Sequence, residues 1–492
     1  MNLVYHSDST NRWRIAILVF ALLPALRLLG PDAPGVFAPW TQMEALLLWV
    51  LCLLPGWIYV GTKPSLRPPL PFLPLYGVVF GAYYALPLVL GQTDLGGFGG
   101  YLRKEDYNAA ADAALLGWAG VLAGTVLTRG RSAPSAPLPP LDTYRLMLWA
   151  VGLALLSPVL DILGFSTSLP AVLKSLTLLI TIMGRFGLAL GILLYLRGHG
   201  GPIHALGLVV AGLLMVLSIL ISGLMAGMMF MGVTIMFALW VGRGHLRYRE
   251  LVAACMLVGL VVSLKSVLPD FRDEAWFRGR QMSASERVEL MGRLVQQRLE
   301  IGGASGLLEE GRDRTKERSA AADMLADVIQ RTPSPVPYWK GGSYVSLVGA
   351  LVPRVLWPDK PQKDLGQRFG HRYGYLASGN TSTSINFPWL IEMYANFGMA
   401  FMPVGGLIVG AILGLLGRWL NRPGQDGITT AMGIGLLVPL YNIESDFSLV
   451  YGGLILYGLA VAAIVRWIQG TATLHRVAPA PRLGASHQVP AA

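Results

Sequence analysis

Charged residues and cysteine are both scarce in this sequence. Lysine, arginine, aspartate and glutamate make up 14% of the 492 residues, whereas hydrophobic residues make up 53%. Because a soluble chain carries about a quarter charged residues, this composition excludes an ordinary soluble protein. The two cysteines, Cys52 and Cys255, both fall inside apolar runs, which excludes a disulfide framework and a cysteine-ligated metal site.

Several signatures of chemistry are missing as well. No metal-ligand spacing, glycine-rich phosphate loop or nucleophile elbow occurs, so we expect no metal and no cofactor. The strand alternation of a transmembrane barrel is also absent. The net charge is +11, but the basic residues lie mostly at the ends of apolar blocks, where they set the orientation in a membrane. We therefore do not expect a nucleic acid as a partner.

The apolar residues come in blocks of about 20, the length that a helix needs to cross about 30 Å of hydrocarbon. We predict an all-α integral membrane protein with about 12 transmembrane helices and one large helical loop outside the membrane. The predicted spans are 13–30, 42–61, 70–91, 110–128, 144–164, 173–196, 204–222, 224–242, 250–268, 399–420, 427–445 and 448–468.

The short breaks between these blocks predict the orientation. Breaks that contain lysine and arginine alternate with breaks that contain neither, apart from GGYLRKEDY, and this alternation puts both termini in the cytoplasm. The chain then divides into a membrane domain at 1–268 with spans one to nine and a periplasmic loop at 269–398. Spans ten to twelve follow at 399–468, and residues 469–492 form a disordered cytoplasmic tail.

The loop itself has helical patterns. Ser283 and Glu286 form a capping box, after which apolar residues recur at three- and four-residue spacing: Val288, Met291, Val295 and Leu299. A second helix carries Met324, Leu325, Val328 and Ile329 and is ended by prolines from Pro333 onward. A third, from about residue 338 to 352, is too short to span and is predicted to lie in the outer interface.

A basic stretch, PRVLWPDKPQKDLGQRFGHRY, follows this third helix. Arg354, Lys360 and Arg372 can bind a diphosphate through charge-assisted contacts, and the prolines limit the backbone entropy that such binding costs. The competing interpretation is a general patch for lipid headgroups.

Three further residues are candidates for a site. Glu392 is predicted at the outer end of the tenth span, where a carboxylate is costly unless it is paired or faces a polar cavity. Asn396 lies four residues later on the same helix face. Arg185 is the most deeply placed charge, and it faces either an anion or a structural partner such as Glu44. His371 can act as a base near neutral pH, although a lone loop histidine is more often simply solvated.

The motifs P-R-x-x-W-P-D-K-P (353–361), SGNTSTSIN and E-x-Y-x-N-F-G (392–398) lead into a glycine-rich span. Together they resemble the bacterial oligosaccharide repeat-unit polymerases of the O-antigen polymerase type. The resemblance implies a GT-C-like, inverting glycosyltransferase of the bacterial inner membrane. It would extend glycans carried on undecaprenyl diphosphate at the periplasmic face, without a nucleotide sugar or an obligatory metal. A chain-length regulator and a flippase are implied as further partners, beside membrane lipid.

On this hypothesis Glu392 is the base, with His371 as the second candidate, and Arg185, Arg354, Lys360 and Arg372 bind diphosphate. A base must take the proton of the acceptor hydroxyl, and cations must stabilise the leaving diphosphate. The alternatives are an O-antigen ligase or another GT-C enzyme that uses a polyprenyl phosphate, a transporter of lipid-linked glycans, and a non-catalytic scaffold.

Overall fold

The computed structural model describes residues 5–28, 39–63, 66–91, 102–130, 143–164, 174–277, 282–318, 321–351, 357, 364–381, 383–422 and 427–477. Every regular element in these ranges is helical. The helices before the loop are α1 (Tyr5–Leu22), α2 (Ala25–Leu28), α3 (Pro39–Gly61), α4 (Phe72–Tyr84), α5 (Leu86–Leu90), α6 (Lys104–Leu127), α7 (Thr143–Ile162), α8 (Lys174–Leu196), α9 (Pro202–Ser222), α10 (Ala226–Arg243) and α11 (Tyr248–Leu264).

Shorter elements fill the loop, and three long helices close the chain. The loop elements are α12 (Leu268–Arg272), a π-helical turn (Asp273–Phe277), α13 (Ala284–Arg318), α14 (Ala321–Arg331), α15 (Val345–Leu351), α16 (Leu365–Arg372) and α17 (Trp389–Phe397). α13 consists of two helical segments that meet at a kink at Gly303, where φ is 63°. They are followed by a 3₁₀ turn (Met399–Phe401), α18 (Met402–Leu420), α19 (Gly427–Leu440) and α20 (Phe447–Val477).

Within the described ranges, 7 helices are long and apolar enough to cross a membrane. The number is 8 if the bent pair α11–α12 is counted as one further span. These helices include α3, α6, α7, α9, α10, α18 and the first part of α20. Four other predicted spans contain shorter apolar helices, at Trp13–Leu22, Phe72–Tyr84, Ile180–Leu196 and Gly427–Leu437. The chain is therefore a multi-pass, all-helical membrane protein, as predicted, and the number of twelve stays a prediction.

The capping box at the start of α13 is confirmed. The Glu286 amide donates to Ser283 Oγ at 3.3 Å, and the Ser283 amide donates to Glu286 Oε2 at 2.8 Å. The buried face of the helix differs from the predicted one, because Leu290 and Met291 are buried while Val288 is exposed. α13 packs through this face against a small apolar cluster formed with α10, α11 and α12.

Two other segments differ from the prediction. The third loop helix starts only at Val345, because Lys340 and Gly341 have φ values of 50° and 85°, which no helix can contain. At the other end of the chain, α20 continues to Val477, so residues 469–477 are helical and not part of a disordered tail. No proline interrupts the sequence before Pro479, and the rest of the predicted tail, 478–492, lies outside the described residues.

Two loop helices are built into the main core. α14 is buried from Ala321 to Val328, and α17 is buried along Trp389 to Asn396. Both share one apolar cluster with α3, α4, α6 and α18. The central part of the loop is therefore seated on the helices of the membrane bundle.

The most extensive helix contact, between α6 and α18, is a contact of backbones. A Cβ added at Gly120 would overlap the Pro403 carbonyl oxygen, and one added at Gly410 would overlap the Val121 carbonyl oxygen. Small residues allow helices to approach this closely, and dispersion between the backbones then stabilises the pair where no hydrophobic driving force acts.

We expect Gly410→Ala to destabilise the protein by about 1–3 kcal/mol, because the two helices would have to separate or shift. The measurement is thermal unfolding of the purified protein in detergent. Gly259→Ala is the matched control, since a Cβ on that helical glycine meets nothing within 4 Å. Equal midpoints for the two variants would contradict the close contact.

Candidate functional site

An open groove of about 600 Å³ lies beside α16. It is lined by Trp339, Gly342, Arg368, His371 and Arg372, and no carboxylate is among these lining residues. The three basic side chains stand at positions i, i+3 and i+4 of one short helix, so they share a face. All three are exposed. The groove is therefore a positively charged surface with an aromatic ring in it.

The guanidinium groups of Arg368 and Arg372 both stack on the indole of Trp339. The central guanidinium carbon lies 4.7 Å from the ring centroid for Arg372 and 5.3 Å for Arg368. Arg372 also donates from Nη2 to the Pro337 carbonyl at 2.6 Å. Cation–π contacts and this hydrogen bond restrict the two long side chains. Two neighbouring guanidinium groups are suited to an anion with several charged oxygens, such as a diphosphate.

The opposite face of α16 is apolar and anchors the helix. Leu365, Phe369 and Tyr373 recur every fourth residue and are buried. Phe369 stacks on Phe387 with 4.0 Å between the ring centroids. Trp339 also packs against Phe387, with 5.7 Å between the ring centroids. This aromatic packing positions both the basic face of α16 and the indole.

A buried carboxylate ties the end of α16 to α14. Asp327 accepts from Arg331 Nε at 2.9 Å and from the Tyr375 hydroxyl, and Arg331 Nη1 donates to the Tyr373 carbonyl at 2.9 Å. Burial raises the pKa of Asp327, and this effect outweighs the lowering by Tyr375 and Arg331. The network holds the chain immediately after His371 and Arg372 against a helix that is itself buried.

Glu392 has a different environment from the groove. Its side chain is 0% exposed, and Oε2 accepts from the Phe447 amide at the first turn of α20 at 2.7 Å. Oε1 has no hydrogen-bond partner in the described part of the chain. Burial raises the pKa of Glu392 to about 8; Ser343 and the Phe447 amide oppose the shift, and Asp446 adds to it.

A turn of five residues, Trp339–Ser343, connects the groove to the helix of Glu392. The Trp339 amide donates to the Ala395 carbonyl at 2.9 Å, and the Gly341 amide donates to Asn396 Oδ1 at 2.8 Å. Asn396 Nδ2 in turn donates to Ser343 Oγ at 2.8 Å. Glu392 therefore lies behind the groove and does not line it, and Asn396 anchors the turn between them.

The structure brings only part of the predicted site together. His371 and Arg372 share the groove, whereas Arg354 and Lys360 lie outside the described residues. Arg185 is half-buried on α8, with its guanidinium carbon 5.6 Å from the Phe230 ring of α10, and does not line the groove. In the described ranges, no group of three or more histidine, cysteine, aspartate and glutamate side chains could hold a metal ion.

Three residues of the site and its anchor are not predicted from the sequence: Trp339, Asp327 and Arg331. Trp339 was placed inside a predicted helix, although the Gly341–Gly342 pair that follows is a signal for a turn. Asp327 and Arg331 are four residues apart on a helix, the spacing of an ion pair, and that pattern could have indicated the anchor.

Comparison with known proteins gives one match. The model of a protein family, described as Domain of unknown function (DUF8712), matches residues 110–417. This range begins in α6, ends in α18 and includes every residue of the groove and its anchors. No curated protein and no solved structure matches the chain.

The pKa of Glu392 predicts how stability depends on pH. Between the ordinary value of 4.5 and about 8, the folded protein holds a proton that the unfolded chain releases. Stability therefore falls as the pH rises through this window, by at most about 1.4 kcal/mol per pH unit, and this contribution is constant above it. We expect Glu392→Gln to flatten the dependence of the thermal midpoint on pH between 5 and 8. Glu289→Gln, at an exposed carboxylate, is the control; identical slopes for the two variants would exclude Glu392 as the titrating group.

We expect Asp327→Asn to loosen the segment His371–Tyr375 locally. Loss of a charged hydrogen-bond partner costs about 1.5–3 kcal/mol, so amide hydrogen exchange in this segment should become at least about tenfold faster. Amides of α6 should not change, and Asp313→Asn on the surface of α13 should have no effect. Uniformly faster exchange throughout the protein would indicate general destabilisation and contradict a local anchor.

Proposed function

The chain belongs to the DUF8712 family, and we propose that it is an inverting membrane glycosyltransferase. Its substrates would be oligosaccharide repeat units linked to undecaprenyl diphosphate, which it polymerises at the periplasmic face of a bacterial inner membrane. The observation that carries this proposal is the groove, in which Arg368 and Arg372 stack on Trp339 beside His371 and none of the described lining residues is a carboxylate.

The groove matches the charge of the proposed reaction. Negative charge develops on the diphosphate as the glycosidic bond breaks, and guanidinium groups already held in place stabilise it without reorganisation. Arg368 and Arg372 have this arrangement over Trp339. The indole itself is buried, so its role is to fix the two guanidinium groups rather than to contact a sugar.

His371 is the residue best placed to act as the base. The oxygen of the acceptor hydroxyl attacks the anomeric carbon, its proton passes to the imidazole, and undecaprenyl diphosphate leaves with the electron pair of the broken C–O bond. His371 is exposed in the groove beside both arginines. Glu392, the first candidate from sequence, is assigned a positioning role, because it is buried behind the turn that carries Trp339.

The position of the groove on the fold supports a lipid-linked substrate. α17, which anchors the Trp339 turn, continues through Gly398 into the membrane-spanning segment Met399–Leu420. A diphosphate at the height of lipid headgroups is thus within reach of a loop seated on the bundle. Lipid, a flippase that supplies repeat units and a chain-length regulator are the partners that this activity requires.

The test is the length of the product formed by purified protein from lipid-linked repeat units. We expect a ladder from the wild type. His371→Gln should lower the elongation rate by about 10²–10⁴-fold, the usual contribution of general base catalysis. Arg372→Ala should lower it at least about tenfold, and Arg372→Lys should retain part of the activity, because lysine keeps the charge without the planar fork. Arg293→Ala, at an exposed arginine of α13, is the control.

Other outcomes would separate the alternatives. A ladder unchanged in well-folded His371→Gln and Arg372→Ala protein would remove the groove from the mechanism. Transfer of the intact glycan to a different acceptor would identify a ligase, and movement across a liposome membrane without elongation would identify a transporter. A scaffold would give neither elongation nor movement.

A further inference from the structure

A second cavity, of about 580 Å³, lies where several membrane helices start or end. α8 ends at it with Tyr195 and Leu196, and α10 ends at it with Gly242 and Arg243. Its other lining residues are Gly200, just before α9, and His245 and Arg247, just before α11. The groove described above is built from the loop, so the two cavities share no residue.

One carboxylate in this region is already neutralised. Glu250 accepts from the Arg243 guanidinium and, at 2.9 Å, from the Arg247 backbone amide. The exposed Arg247 guanidinium interacts electrostatically with the same carboxylate, and His245 is exposed as well. Because two arginines face a single carboxylate, the cavity keeps a net positive charge, which favours an anion.

Exposed apolar side chains lie on the two helices that begin beside the cavity, α9 and α11. On α9, Ile203 is 77% exposed and Leu206 follows it on the same face. On α11, Val252 and Met256 repeat the pattern, with Met256 70% exposed. α9, and α11 together with α12, are long and apolar enough to cross a membrane, so hydrocarbon chains can cover these exposed side chains. A ligand that fits both parts has a charged head and hydrocarbon chains.

We propose that this cavity binds the phosphate headgroup of an anionic membrane lipid, with its acyl chains against α9 and α11. Arg247 and His245 contact the phosphate oxygens, since a guanidinium matches them with two parallel hydrogen bonds. Arg243 remains paired with Glu250 and completes the wall. The alternation of basic breaks predicts the cytoplasmic leaflet for this site. The proposal of a lipid site is independent of the proposed glycosyl transfer.

The experiment measures phosphatidylglycerol bound to the intact, detergent-purified protein by native mass spectrometry, with phosphatidylcholine as the zwitterionic comparison. We expect phosphatidylglycerol to bind more tightly, and Arg247→Gln to weaken it about fivefold, the effect of one cation at a membrane surface. His245→Gln combined with Arg247→Gln should weaken it further. Arg249→Gln is the matched control, because Arg249 is exposed two residues away and does not line the cavity.

Three results would overturn the proposal. Equal retention of the two lipids would indicate a general lipid surface. Equal losses in Arg247→Gln and Arg249→Gln would indicate diffuse charge attraction. Displacement of phosphatidylglycerol by the same concentration of inorganic phosphate would show that only a free anion is recognised. Unchanged thermal midpoints of the variants establish that they are folded, and both Arg243 and Glu250 are left intact for that reason.

Discussion

The close contact between α6 and α18 is the constraint on which the rest of the structure depends. Glycines on both helices bring their backbones together, and no larger residue fits there. Because α17 leads directly into α18 through Gly398, the same contact determines where α17 sits. α17 in turn anchors the Trp339 turn by main-chain hydrogen bonds. Packing between two membrane-spanning helices thus sets the position of a groove built from the preceding loop.

The chain tolerates two buried carboxylates next to this groove, and each is costly to bury without a partner. Asp327 is stabilised by Arg331 and by the Tyr375 hydroxyl, and Glu392 by the first amide of α20. For both groups burial still raises the pKa, so the hydrogen bonds offset only part of the desolvation. The hydrogen bonds of both carboxylates connect segments that are far apart in the sequence. Those of Asp327 connect α14 with the end of α16, and that of Glu392 connects α17 with α20. Such links can specify one arrangement of the loop even where they contribute little net stability.

The two cavities use arginine in different ways. In the groove, two guanidinium groups are held over one indole, and none of the described lining residues is a carboxylate. In the second cavity, Arg243 pairs with Glu250, and Arg247 leaves a net positive charge beside helices with exposed apolar side chains. Restricted, paired guanidiniums suit a polyanion whose charge changes during a reaction. A single cation next to exposed hydrocarbon suits a resident lipid.

The sequence by itself determined the class of protein, because apolar blocks of membrane length have no other way to satisfy their backbone in lipid. It also determined local features with a local cause, such as the Ser283 cap and the proline end of α14. The tertiary structure alone decided which basic residues meet Trp339, since that depends on a turn with positive φ and on aromatic contacts between α16 and Phe387. It also decided that Glu392 is buried behind the groove, because burial of a carboxylate is a property of packing between distant segments and leaves no periodic pattern in the chain.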